Sequence, residues 1–530
     1  MVRRKSKAHV PLDLSLARLD SLSIHCHSRI MTSCGNPATE QDALMLHRTK
    51  FDTSRICVRC RTSPGNVVIR HAVYCKDCFF PMVTHKFRRS LQPSINVTQD
   101  GTRNKSLKPA GNLCLGLSGG LGSTVLLDLV TECCFANHQS EDTMRGGKDH
   151  PRKASVWKKA TVCYVETCNA LPGTRDRTDE VRAVVEQYGH FEFMPIRIED
   201  AFNDLWWEKV GGRRSPSHLS VNLSNEELIM KPNTPEDPIT SLHSFISSLP
   251  TQTAVPSAIQ TLIRLLLLNT AWSTESSHLL LGTSLTSLSV SLISSISQGG
   301  GFVVREEAQE EWQPTVHIGS NRTVRINRPL RDIGMKECTV WAWWRGLKVV
   351  GKESFVGKQG IGALTKDFIV GLERDYPSTV STIARTCAKL APKAGTDGMC
   401  ILCERPAQHG VQDWKARISI RSFADSTLSA PPPHLRDAAA TAVPEPPDSS
   451  LMSSLTPHLC YACHTTLTSR SSRGTTSSSQ QDSTPLPVWV TARLGNHSVS
   501  DGDRQELWKS RRMKETDMQE SIADFLLVDS

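Results

Sequence analysis

Residues 113–130, LCLGLSGGLGSTVLLDLV, constrain the fold more than any other stretch of this chain. The apolar run NLCLGL reads as a short strand. Two adjacent glycines follow it, and then STVLLDLVTECC, in which Val125, Leu126, Leu129 and Val130 make an apolar stripe at helical spacing. Ser123 is placed to cap that helix. A strand that turns through glycine straight into a helix gathers backbone N–H groups and the positive end of the helix dipole at one spot, which attracts an anion. Ser118, Gly119, Gly120 and Ser123 would form that phosphate cradle. The G-x4-G-K-S/T spacing and its lysine are missing, so this is no Walker A loop, and the spacing of a dinucleotide fingerprint is missing too. Close packing of helix on strand is the other use two such glycines can have.

The alternation continues downstream. TVCYVE at 161–166 is a second strand. Thr178 can cap a helix with Val181, Val184, Val185 and Tyr188 on one face and Gly189 at its end. FEFMPIRI at 191–198 is a third strand. After a long polar stretch, Pro256 sits in the first turn of a helix whose buried face is Ile259, Leu262, Ile263 and Leu266. HLLLG at 278–282 is a fourth strand, and Leu285, Leu288, Leu292 and Ile296 stripe another helix. Such alternation predicts an α/β fold with a parallel sheet and helical crossovers on both faces. Its ligand site would lie beyond the carboxyl ends of the strands, where the 113–130 turn falls.

The chain has 17 cysteines, of which eight form four CxxC pairs: Cys57/Cys60, Cys75/Cys78, Cys400/Cys403 and Cys460/Cys463. In a reducing compartment such pairs point to metal rather than disulfides. CVRC and CKDC are separated by 14 residues, which suits a closed tetrahedral zinc site with no open position for water. A closed site of this kind is structural, not catalytic. CILC and CYAC are separated by 56 residues, and loop closure costs little extra with length. They can share a second zinc, with His458 or His464 as alternative ligands. The remaining cysteines, among them Cys26, Cys34 and Cys114, show no ligand spacing and read as small apolar residues. After the first cysteine set comes HKFRR, whose Lys86, Arg88 and Arg89 could contact RNA phosphates or simply be solvated.

Hydrophobic residues make up 38% of 530, low for a compact chain of this length, so much of it is expected to be unpacked. The net charge of +9 fits a polyanion partner and a solvated basic surface equally well. The N-terminal stretch does not read as a signal peptide, since Pro11, Asp13 and Asp20 break its apolar character. The best apolar run, LIRLLLL, is far shorter than the ~20 residues a membrane span needs and contains Arg264. A soluble intracellular protein with no membrane partner is the expectation.

Taken together, CVRC…CKDCFFPMVTHKFRRSL, LGLSGGLGSTVLLDLV, RLLLLNTAWSTESSHLLLGTSLTSLS, RPLRDIGMKE and the terminal CILC, LCYAC and ADFLL resemble the PP-loop ATPases that modify tRNA. Their motif is S-G-G-x-D-S/T. Within them the chain is most similar to the second subunit family of the cytoplasmic tRNA 2-thiolation complex, a degenerate PP-loop ATPase-like group. The resemblance implies a Rossmann-like, adenine nucleotide alpha hydrolase-like sheet flanked by an N-terminal zinc ribbon and a C-terminal CxxC zinc module. It also implies ATP chemistry only in a catalytic PP-loop partner, with which this chain forms a heterodimer. The implied reaction is 2-thiolation of the wobble uridine of tRNA Lys, Glu and Gln in the cytoplasm, with sulfur from a thiocarboxylated ubiquitin-like carrier. This chain departs from the active pattern at three places. Gly122 holds the acidic position, GTSLTSLS has no acid after the fourth strand, and TQTAVPSAIQ has no cysteine before its helix. A non-catalytic subunit is therefore implied.

The expected organisation is a disordered segment at 1–50, the zinc ribbon at 51–92, and the α/β domain at 108–395 with inserted loops near 136–159 and 208–254. A CxxC module with a disordered linker at 396–470 and a low-complexity tail at 471–530 ending in a short helix complete it. Two other readings compete. One is a PP-loop ATPase active by itself, with Asp128 or Glu166 holding magnesium, although both read more simply as solvated surface acids. The other is a zinc-ribbon module for nucleic acid or protein with no thiolation role.

Overall fold

The computed structural model describes residues 55–95, 111–135, 157, 159–171, 173–213, 218–223, 228–234, 236–314, 322–351, 360–390, 396–408, 454–469 and 483–494. All lie in one unit, Thr53–Ser530. The expected N-terminal segment, the terminal helix at ADFLL, and most of the 136–159 insertion, of the linker and of the low-complexity tail lie outside them.

The elements in chain order are β1 (Val67–Ile69), β2 (Ala72–Tyr74), α1 (Lys76–Ile95), β3 (Asn112–Gly116), α2 (Leu121–Val130), β4 (Ala160–Glu166), α3 (Thr178–Glu186) and β5 (Glu192–Arg197). Next come α4 (Asp204–Lys209), β6 (His218–Val221), β7 (Met230–Asn233), α5 (Pro238–Ser248), α6 (Ala254–Ser273), β8 (Ser276–Leu281) and α7 (Leu285–Ser297). The rest are β9 (Glu310–Trp312), β10 (Val324–Asn327), α8 (Met335–Arg345), α9 (Ile361–Asp375), α10 (Pro377–Cys387), β11 (Thr396–Met399), β12 (Pro406–Gln408), α11 (Tyr461–Thr468), β13 (Thr484–Pro485) and α12 (Val488–Leu494).

The main sheet has six strands in the order β5-β4-β3-β8-β10-β9. β5, β4, β3, β8 and β10 are mutually parallel, and β9 closes the edge antiparallel to β10. The four strands read from the sequence are β3, β4, β5 and β8, and the fold is the expected doubly wound α/β sheet. A parallel sheet is covered on both faces, so its strands read as near-continuous apolar runs; every residue of β4 is buried. Alternation then sends neighbouring side chains into different cores. Leu113 and Leu115 of β3 pack with α2, α3 and α8, while Cys114 faces the core built on α6 and α5. The chain leaves β3 toward β4 and leaves β8 toward β10, so the topological switch point lies between β3 and β8.

Three local readings are corrected. Thr178 does not cap α3; the N-cap position is Arg177, and the Thr178 N–H is taken by Asp176. The polar stretch at 208–254 contains β6, β7 and α5, with Asp237 capping α5 just before Pro238. β6 and β7 pair with β13 in a three-stranded sheet, so the partner that orders this segment comes from far along the chain. α6, with 20 residues, is apolar and long enough to cross a membrane by composition, contrary to the reading from LIRLLLL, but 61% of its apolar window is buried in the core. Arg264 on it is neutralised by Glu310.

His278 on β8 carries a pH dependence. It is buried; its Nε2–H donates to the Ser94 carbonyl at 3.3 Å, and Nδ1 accepts from the Ser277 hydroxyl at 2.9 Å. Burial depresses its pKa to about 4. The unfolded chain binds a proton near pH 6.5 while the folded chain resists it until about pH 4. Stability is therefore fully present above pH 6.5 and falls as the pH drops toward 4, by up to ~3 kcal/mol. Denaturant midpoints from pH 7.5 to 4.5 check this. His278→Gln should flatten the slope, and an unchanged slope refutes the assignment.

Candidate functional site

The glycine turn stands where the sequence puts it, between the end of β3 and the first turn of α2. Gly119 has φ +71°, a left-handed conformation that favours glycine. Gly120, not Ser123, is the N-cap residue. Ser123 lies inside the helix, where its Oγ donates to the Gly120 carbonyl at 2.9 Å and sits 3.3 Å from the Ser118 Oγ. The two serines of the expected cradle thus bond locally.

The surroundings of the turn were not legible in the sequence. A Cβ on Gly122 would come within 2.2 Å of the Gly282 carbonyl oxygen, and a Cβ on Gly282 within 2.4 Å of Ser123 Cα. The loops that follow β3 and β8 are therefore in backbone contact at the switch point. On another side the Gly351 N–H donates to the Gly119 carbonyl at 2.9 Å, and Arg177 Nη1 donates to the Gly351 carbonyl at 2.9 Å. The segment following α8 crosses the turn and is clamped there. The signal in the sequence was Gly282, directly after the fourth strand, but its meaning depends on what it faces.

Neither acid considered for magnesium is a solvated surface group. Asp128 is 6% exposed and accepts from Trp341 Nε1 at 2.8 Å and Arg345 Nε at 3.1 Å. Glu166 is 4% exposed and accepts from Tyr164 Oη at 2.8 Å and from the backbone N–H groups of Thr167, Cys168 and Arg177. Both carboxylates are consumed in joining elements: Asp128 ties α2 to α8, and Glu166 organises the turn after β4 and the start of α3.

The cysteine pairs come together as two groups, Cys57/Cys60/Cys75/Cys78 and Cys400/Cys403/Cys460/Cys463, each with its four sulfurs within 4.8 Å of one another. Neither His458 nor His464 belongs to the second group. Four thiols packed this closely cannot all ionise without a cation, and four sulfur donors from two CxxC knuckles suit a tetrahedral soft metal. In the first group Cys57 and Cys75 are buried and Cys60 and Cys78 partly buried, and it joins the loop before β1 to the start of α1. The Thr62 hydroxyl, followed by the Ser63 backbone, lowers Cys60 to about 5, and burial with the neighbouring sulfurs pushes Cys78 up to about 12. The second group is wholly buried. Around it, Arg264 Nη1 donates to the Cys403 carbonyl at 2.7 Å, and Glu404 accepts from Trp312 Nε1 at 2.6 Å. Glu404 also pairs with Arg493 at 2.5 Å, and Arg405 pairs with Glu307 and Glu310. This module is built into the α/β core.

Lys86 is spent on an ion pair with buried Glu337 at 2.5 Å, which ties α1 to α8, and Arg88 and Arg89 are exposed. Of the unpaired-spacing cysteines, Cys114 and Cys163 lie 3.4 Å apart at the sheet centre, and the Cys163 neighbour and burial drive the Cys114 pKa up. A cavity of about 200 Å³ lies elsewhere, lined by Asp204, His218 and Glu236 among others.

Residues 360–465 match the family model described as Cytoplasmic tRNA 2-thiolation protein 2. The chain is 26% identical over 373 residues to the Cytoplasmic tRNA 2-thiolation protein 2 of Danio rerio, covering 64% of this chain and 67% of that one. The human protein of that name is 26% identical over 395 residues, covering 66% and 71%. The one from Debaryomyces hansenii is 23% identical over 422 residues, covering 78% and 88%. Over these segments the chain is similar to the cytoplasmic tRNA 2-thiolation protein 2 family. Among solved structures, the U34-tRNA thiolase NcsA from Methanococcus maripaludis with its 4Fe-4S cluster is 17% identical at a TM-score of 0.44, covering 70% of this chain and 99% of that one.

Proposed function

We propose that this chain is the non-catalytic subunit of a cytoplasmic complex that 2-thiolates the wobble uridine of tRNA Lys, Glu and Gln. A catalytic PP-loop thiolase would be its heterodimer partner and would perform the ATP chemistry. A thiocarboxylated ubiquitin-like protein would supply the sulfur. Structural zinc would fill the two cysteine groups, Ser118, Gly119, Gly120 and Ser123 would remain as a relic phosphate cradle, and Arg88 and Arg89 would contact tRNA. The observation that carries this reading is the Gly122–Gly282 contact. At the position where the active motif places its acid, a carbonyl oxygen lies 2.2 Å from where the first side-chain atom would stand. Adenylation needs groups that hold metal and phosphate as charge develops, and the acids nearby are already bonded to protein. The family relatives, by their names cytoplasmic 2-thiolation proteins, supply the reaction and the compartment.

The test is mass spectrometry of tRNA nucleosides from cells lacking the protein. Wobble 2-thiouridine should be lost and restored by the wild-type chain. Persistence of 2-thiouridine refutes the pathway. ATP turnover by the purified chain alone refutes the division of labour.

A further inference from the structure

We propose that the outward face of α8, centred on the Trp343 indole, is a stacking platform for an unpaired nucleotide of the bound tRNA. The proposal deepens the function above and rests on it. α8 turns Glu337, Trp341 and Arg345 inward, onto Lys86 and Asp128. At 100° per residue, Trp343 then points the opposite way, with Lys336 two turns earlier on the same face. Trp343 is 75% exposed, whereas Trp157, Trp312, Trp341 and Trp489 are fully buried. An indole left in water loses the burial that normally justifies its size.

The ring is also held in place. It stacks on Trp344 with centroids 6.3 Å apart and an interplanar angle of 28°. Trp344 in turn meets Phe79 edge-on at 5.1 Å, and Phe79 is fully buried. A ring oriented by its neighbours loses little freedom when a base stacks on it.

Charge selects the occupant. Lys336 and Lys348 are exposed on α8 and just past its end, and Arg89 is exposed on α1, which the Lys86–Glu337 pair fastens to α8. Glu337 and Glu132 are paired with Lys86 and Arg345, so they do not cancel these cations. An exposed aromatic face with exposed Lys336 on the same side of its helix and Lys348 just past the helix end fits a base and its flanking phosphates. A protein partner of apolar character would have to cover these charges.

The experiment uses the full-length chain, alone and with its catalytic partner, and two probes: a tRNA transcript and a short single-stranded oligouridylate. The oligouridylate should quench tryptophan fluorescence in the wild type and not in Trp343→Ala. Trp343→Ala should weaken binding of both probes on the order of tenfold, with an unchanged salt slope and melting temperature. Trp343→Phe should recover most of the affinity. The double change Lys336→Ala with Lys348→Ala should instead lower the salt slope. Wild-type affinity in Trp343→Ala, with the complex still thiolating tRNA, overturns the platform and leaves the proposed function standing. Loss of the partner subunit on Trp343→Ala, with the isolated chain binding RNA unchanged, makes the face a protein interface and overturns it as well.

Discussion

Gly122→Asp, the substitution that would complete the active motif, is expected to destabilise the protein and to return no ATP turnover. The new Cβ would stand 2.2 Å from the Gly282 carbonyl oxygen. Both partners are backbone, one in the first turn of α2 and the other just past β8, so neither can swing aside as a side chain would. Relief requires the two loops at the centre of the sheet to separate. Overpacking of this kind costs about 3 kcal/mol, which for a unit of this size lowers the melting temperature by roughly 3–5 °C. A carboxylate forced into that contact would also lack a cationic partner, because Arg345 and Arg177 are already engaged with Asp128 and Gly351. Gly282→Ala should behave alike, since its Cβ would meet Ser123 Cα at 2.4 Å. Thermal and urea denaturation measure the loss, and a phosphate-release assay measures turnover. A Gly122→Asp protein with wild-type stability would mean that the two loops are not locked together. One that hydrolyses ATP would mean that the acid alone separates this chain from an active enzyme.

Cys403→Ser is expected to have the larger structural effect of any change at the two cysteine groups. Residues 401–404 bond to three separate elements at once. The Cys403 carbonyl takes Arg264 of α6, Glu404 takes Trp312 of β9 and Arg493 of α12, and the Leu402 carbonyl takes Trp489 Nε1 of α12 at 3.2 Å. A metal held by the four buried sulfurs would fix the loop that makes these bonds. Structural zinc sites of this donor set contribute on the order of 10 kcal/mol of metal-linked folding energy at neutral pH. Without that contribution, the carboxylate of Glu404 and the guanidinium groups of Arg264 and Arg493 lose their geometry inside the protein, where a broken pair is costly. Metal analysis should give two ions per wild-type chain and one in Cys403→Ser, and hydrogen exchange should rise across α6, β9 and α12. Cys57→Ser should also lose one ion, but with faster exchange confined to the ribbon and α1, because the first group joins only the loop before β1 to the start of α1. Should Cys403→Ser not fold, chelator titration of the wild type gives the same reading, with the less buried first site emptying first. Two ions retained in Cys403→Ser, or unchanged protection of α12, would refute this account.

The sequence by itself determined four of the six main-sheet strands, their parallel alternation with helices, the turn at 118–123 and the pairing of cysteines. All of these are local signals: apolar runs of strand length, stripes at helical spacing, glycine between them, and CxxC knuckles that position two sulfurs across a single turn. The resemblance to S-G-G-x-D-S/T puts Gly122 at an acidic position, but does not reveal that a side chain has no room there. That required the loop after β8, which only the strand order brings beside α2. The roles of Asp128 and Glu166 were misjudged for the same reason. Nothing near Asp128 in sequence announces Trp341, 213 positions away. The polar stretch at 208–254 carries no apolar pattern strong enough to reveal a sheet, because β6 takes its third strand from β13 near the far end of the described chain. Lys86 reads as a free cation until α8 delivers Glu337 to it. Tertiary structure decided what each charged group and each glycine does, because those roles are set by backbone and side chains that meet across the sheet.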